Sequence, residues 1–115
     1  MNEIYQDDYQ VKYDPEAASV ICAGSFRLRG PEYEEVLAIL NEAADAGHNT
    51  LMLDVTGLEF LNSSGINTLS KFVLLMRQQK SSQLVVKGTE RHAWQKKSLS
   101  NLQRLLPNMQ LELVQ

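Results

Sequence analysis

Two adjacent serines, Ser63 and Ser64, are the residues of this chain best placed to do chemistry. They close the stretch Asp54-Val55-Thr56-Gly57-Leu58-Glu59-Phe60-Leu61-Asn62-Ser63-Ser64-Gly65. The apolar run Thr50-Leu51-Met52-Leu53 before it reads as a buried strand. Ile66, Leu69, Val73 and Met76 after it have helical spacing. The first backbone N–H groups of such a helix lack partners inside it, and their dipoles favour an anion. A serine at that junction can cap the helix, act as a nucleophile or accept a phosphate.

The nucleophile reading needs a base within reach and a third group to orient it. His48 and His92 are the only histidines, and the serines are not framed as G-x-S-x-G. Asp54 and Glu59 flank the stretch, but two carboxylates this close in sequence are weak grounds for acid–base work. No phosphate-binding glycine loop and no Cys/His metal spacing occurs. Cys22, the sole cysteine, sits in a β-rich run with no nearby His or Lys, which reads as a buried, unreactive thiol. His48 follows the first helix and reads as solvated. The expectation is a protein without catalytic residues, bound metal or cofactor.

The helix after the serines has two sides when its residues are set about 100° apart. Leu69, Val73 and Met76 mark the core direction, flanked by Ile66 and Phe72. Ser63, Asn67, Ser70 and Leu74 form a strip on the other side, bordered by Lys71, Gln78 and Leu75. Leu74 and Leu75 are expected to point outward. An apolar ridge whose first turn carries a serine suits a docking surface with a switchable end. Phosphate on Ser63 would add about −1.5 to −2 charges at neutral pH. It would be tolerated by the free N–H groups yet spoil a face shaped for an uncharged hydroxyl.

The elements that hold this junction follow from periodicity and turn signals. Tyr9–Tyr13 and Ser19–Gly24 read as strands of a hairpin turning at Asp14-Pro15. A helix opens at Gly30-Pro31 and stops at Gly47. The central strand spans Thr50–Val55, a loop Gly57–Leu61, and the second helix runs from Ser63 or Ser64 to about Lys80, broken by Ser81-Ser82. Gln83–Gly88 reads as a strand, Thr89–His92 as a helix start, and Ala93–Leu106 as helical, in two pieces parted near Ser98-Leu99-Ser100. Met109–Val114 closes the chain as a strand. The order β-β-α-β-α-β-α-β predicts a single α/β domain with a mixed, mostly parallel sheet and helices packed on it. Residues 1–8 form an N-terminal extension and 9–115 the domain.

The 115 residues suit one core, and 43% hydrophobic with 22% charged residues is ordinary for a globular protein. One cysteine permits no intramolecular disulfide, and no apolar signal segment or membrane-length run occurs. These features predict a cytoplasmic protein. The net charge of −3 hides a polarity. Residues 1–60 carry twelve acids against Lys12, Arg27 and Arg29, a net of −9; residues 61–115 carry Glu90 and Glu112 against eight Lys or Arg, a net of +6. The basic half lacks dense basic runs with interleaved aromatics, so a protein partner is favoured over nucleic acid.

The stretch Leu53–Gly65 resembles the signature of STAS domains, the anti-sigma factor antagonist family: a strand, a short loop, then Asp-Ser-Ser-Gly opening a helix. The strand–helix order matches from about Tyr9 to Val114, with Ala23-Gly24 at the place of the family's early Gly-Glu-Leu-Asp segment. The resemblance implies partner switching. An anti-sigma-type serine kinase would bind the domain and phosphorylate the first serine of the pair, Ser63, and a PP2C-type phosphatase would reverse it. Asp54, Asn62, Ser64 and Gly65 would shape the loop, with Asn67, Ser70, Lys71 and Leu74 on the partner side. No nucleic acid, membrane or cofactor is implied, and the domain would be a monomer or weak dimer. Three departures stand out: Asn62 replaces the acidic residue, Arg27 and Arg29 stand where the family often has Asp, and the chain ends after its last strand. Rival readings are an unphosphorylated scaffold, a nucleotide or other small-ligand sensor, and a small hydrolase using Ser63.

Overall fold

The computed structural model describes residues 2–79 and 82–115. Six strands make one mixed sheet: β1 (Glu3–Tyr5), β2 (Tyr9–Asp14), β3 (Ser19–Phe26), β4 (Thr50–Leu61), β5 (Gln83–Thr89) and β6 (Gln110–Val114). Helices α1 (Glu34–Asp45), α2 (Ser63–Gln78) and α3 (Ala93–Leu105) connect β3 to β4, β4 to β5 and β5 to β6, with a 3-10 turn at Gly30–Tyr33 before α1. The strands lie in chain order across the sheet; β1, β2 and β3 are antiparallel, and β3 through β6 are parallel.

That order decides where the helices go. Crossovers between parallel strands are right-handed, and here all three step the same way along the sheet. They therefore stack α1, α2 and α3 in one layer on one face, where α1 meets α2 and α2 meets α3. Alternate strand residues point into this layer. Val11, Val20, Cys22, Leu53, Val55 and Val86 are buried there against Leu40, Leu69, Phe72, Val73 and Leu99 of the helices. Burying each such side chain is worth about 1.5–3 kcal/mol. The opposite face of the sheet has no helix on it among the described residues.

Several expectations need correction. Residues 3–5, assigned to an extension, form β1 and place Ile4 in the core. Gly57–Leu61 is not a loop, because β4 continues through it, paired with β3 across irregularities between Ile21 and Ala23 and between Gly24 and Ser25. Thr89 belongs to β5, and α3 is one unbroken helix through Ser98-Leu99-Ser100, with the Ser100 hydroxyl donating to the Lys96 carbonyl (2.7 Å). His48 is not merely solvated: its Nε2 hydrogen-bonds the Tyr13 hydroxyl at 2.5 Å. The α2 end at Lys80 and the Ser81 breaker lie outside the described residues. Gly24 marks the tightest backbone contact, with φ +91° and a Cβ that would fall 2.3 Å from the Asp8 carbonyl oxygen. There the Ser25 N–H donates to that same carbonyl (2.8 Å) and ties the β1–β2 turn to β3.

Candidate functional site

The junction of β4 and α2 is built around Asn62 rather than around either serine. Asn62 is the N-cap of α2, with extended backbone (φ −82°, ψ 177°) and its Oδ1 accepting from the Gly65 N–H at 2.9 Å. Because a backbone N–H only donates, that bond fixes which end of the amide is oxygen. The Tyr33 hydroxyl donates to the same Oδ1 at 2.7 Å, and Nδ2 donates to the Leu28 carbonyl at 2.8 Å. The side chain thus accepts twice and donates once. A carboxylate could not make the third bond, so an amide at this position suits a network that an Asp could not complete.

Gly65 is required by the same geometry. A Cβ there would lie 2.2 Å from Leu61 Cδ1 and 2.8 Å from the Tyr33 hydroxyl. Burial pushes the Tyr33 phenol up to about 12, so it stays a proton donor to Asn62 at ordinary pH. Tyr33 and Leu28 are neighbours of Asn62 that periodicity does not reveal. A buried tyrosine hydroxyl needs a partner, but this one lies 29 residues away along the chain, so no local pattern points to it.

Ser63 is the first residue of α2 and is exposed. Its hydroxyl makes no hydrogen bond among the described residues, since Asn62 does the capping. Ser64 is half-buried, and its carbonyl accepts from the Thr68 hydroxyl (2.9 Å). Asn67 and Lys71 are exposed, Leu74 is 40% exposed, and Ser70 is half-buried with its hydroxyl spent on the Ile66 carbonyl (2.9 Å). Leu75 corrects the sequence reading: it is partly buried against the core. Asp54 is not part of this loop. It lies seven residues back along β4, roughly 20 Å away at strand rise, and its carboxylate accepts from the Thr56 N–H (2.9 Å) and hydroxyl (2.7 Å).

Two features border the junction. Arg27 stacks on the exposed Phe60 ring, 4.7 Å from its centroid, just beyond the point where the Asn62 N–H donates to the Phe26 carbonyl (3.1 Å). A polar cavity of about 590 Å³ lies between the β1–β2 turn and the first turns before α1, with Asp8, Glu32, Glu34 and Glu35 in its wall beside Tyr9 and Arg27. Burial, then Glu35, Asp8 and Glu32, raise the Tyr9 phenol. An acidic wall of this kind repels a nucleotide phosphate. Cys22 is fully buried, and desolvation followed by Asp54 pushes its thiol up to about 12, as expected of an inert thiol.

No protein-family model matches the chain, and no curated protein matches its sequence. Solved structures do share the fold. A chain in the crystal structure of the diguanylate cyclase SiaD in complex with its activator SiaC, from Pseudomonas aeruginosa, aligns over 98% of this chain and 99% of its own, with 16% identity and a TM-score of 0.75. Apo-SiaC from the same organism aligns over 100% of both chains at 13% identity and a TM-score of 0.74. Another SiaC structure aligns over 100% of this chain and 98% of its own at 15% identity and a TM-score of 0.65. This chain is therefore a single α/β domain with the SiaC fold.

Proposed function

We propose that this domain is a non-catalytic regulator that binds a signalling protein along the outer strip of α2 and releases it when Ser63 is phosphorylated. One observation carries the reading. Asn62 holds the helix end, which leaves the Ser63 hydroxyl exposed and without a structural duty. A phosphate there would meet the positive end of the α2 dipole, so the fold tolerates it. A partner seated over Asn67, Lys71 and Leu74 would meet new bulk and charge at the edge of its footprint. The likeness in fold to SiaC, named as the activator of a diguanylate cyclase, supports a partner that is itself a signalling enzyme. The STAS resemblance supports a serine kinase as the modifying partner and a PP2C-type phosphatase as its opponent.

The test is a capture experiment from the native cell with wild type, Ser63→Ala, Ser63→Glu and Leu74→Glu proteins, combined with intact-mass analysis. Wild type and Ser63→Ala retain the partner, and Ser63→Glu and Leu74→Glu lose it with unchanged circular dichroism. Native protein carries a phosphate on Ser63. Capture by the Leu74→Glu variant at wild-type levels overturns the docking strip; a native protein phosphorylated elsewhere, or retained binding by Ser63→Glu, overturns the switch.

A further inference from the structure

The sheet face without helices carries a pattern of its own. One row of register partners crosses every strand: Glu3, Lys12, Ile21, Asp54, Lys87 and Glu112. Their neighbours Ile4, Val11, Val20, Leu53 and Val86 are buried beneath the helices, so this row points the other way. In order it reads negative, positive, apolar, negative, positive, negative. The apolar member, Ile21, is 42% exposed, and Tyr5, at 62%, is a further exposed apolar side chain on the same face.

Two sheets packed face to face lie roughly 10 Å apart with strands within about 30° of alignment. We propose that this face joins two copies of the chain about a two-fold axis running along β3. That axis sets Ile21 against its own mate, Lys12 against the partner copy's Asp54, and Glu3 against the partner copy's Lys87. Every charge of this row that is covered meets its opposite, while Asp14, one row along, meets the partner copy's Met52. An axis at right angles to the strands would set each charge against itself. An axis between β4 and β5 would set Ile21 against Glu112. The interface is isologous and closed, so it stops at a dimer. It lies on the side of the sheet away from α2 and leaves the Ser63 strip free.

The test exploits the cross-strand pairing. The double variant Glu3→Lys/Lys12→Glu keeps the opposite charges of its own β1–β2 pair but makes both intermolecular contacts like-charged. Sedimentation equilibrium from about 10 µM to about 1 mM is expected to show the wild-type mass rising from 13.0 kDa toward twice that value. The double variant and Ile21→Lys stay monomeric, with thermal midpoints equal to that of dilute, monomeric wild type. Adding Asp54→Lys/Lys87→Glu to the double variant restores the dimer, while Leu74→Glu dimerises as wild type does. A wild-type protein monomeric across the range, or a dimer that survives the double variant, overturns the proposal. A dimer lost in Leu74→Glu moves the interface to α2 and overturns it equally.

Discussion

At the scale of single residues, the cap expected of a serine falls to the residue before the pair. Ser63 and Asn62 are neighbours, but only Asn62 has structural duties. Replacing it by Asp keeps the bond from the Gly65 N–H but turns a carboxylate toward the Leu28 carbonyl. Losing that donor and leaving the carbonyl unpaired is expected to cost about 1–3 kcal/mol, while Ser63→Ala shifts stability by less than about 0.5 kcal/mol. Urea unfolding of the two variants checks the contrast, and equal midpoints contradict the network. Two of the three partners of Asn62 lie 29 and 34 residues away, which is why only its position beside a helix start is legible in the sequence. A second residue-scale effect concerns pH. Cys22 and Tyr33 hold their protons more tightly folded than unfolded, since burial raises each to about 12 from 9.0 and 10.0. Between those values the unfolded chain binds fewer protons, so stability falls as pH rises. Their contribution is complete below pH 9.0 and lost as pH climbs toward about 12. Urea midpoints measured on the alkaline side are expected to drop over that window, and Cys22 in native protein should resist thiol reagents at pH 8 until denaturant is added.

At the scale of elements, β4 carries the site and is also where the sequence misleads. Pairing between β4 and β5 stops at Asp54 and Lys87, while β4 runs on to Leu61 with only β3 beside it. The parting strands leave backbone groups open, and Gln95 of α3 fills the gap. It is fully buried, its Nε2 donating to the carbonyls of Val55 (2.7 Å) and Leu58 (2.9 Å) and its Oε1 accepting from the Thr89 N–H (2.8 Å). Trp94 Nε1 adds a bond to the Leu58 carbonyl at 3.1 Å. Gly57 and the polar residues around it look like a loop because strand patterning assumes neighbours on both sides. A side chain forty residues along the chain from Val55 supplies the missing partner instead. Gln95→Leu strips the Val55 carbonyl and Thr89 N–H of partners at once, an expected loss of about 3 kcal/mol. Trp94→Phe costs about 1 kcal/mol, because Gln95 still serves Leu58. Hydrogen exchange should quicken from Leu58 to Ser64 in the glutamine variant, and unchanged exchange there would show that α3 does not hold the site.

At the scale of the whole molecule, strand order equal to chain order turns a polarity of sequence into a polarity of space. The first half of the chain, net −9, builds β1 to β4 and α1; the second half, net +6, builds β5, β6, α2 and α3. A fold that interleaved the halves would have cancelled the charges, so the asymmetry could be counted in the sequence but its consequence needed the topology. The basic pole includes the exposed Lys96, Lys97 and Arg104 of α3, and Lys96 reaches Glu90 only at 3.8 Å. Such a pole acts over about a Debye length, ~10 Å at 0.1 M salt. The protein is therefore expected to bind a cation exchanger at pH 7 in low salt, despite its net charge of −3. Reversing Lys96, Lys97 and Arg104 to Glu should abolish that retention without changing the fold, because all three are exposed on the outer side of α3. If the triple variant is retained as strongly as wild type, the poles are not separated as the sheet order requires. A basic pole set beside the Ser63 strip would also steer an acidic partner onto α2, so salt should slow capture more than it hastens release.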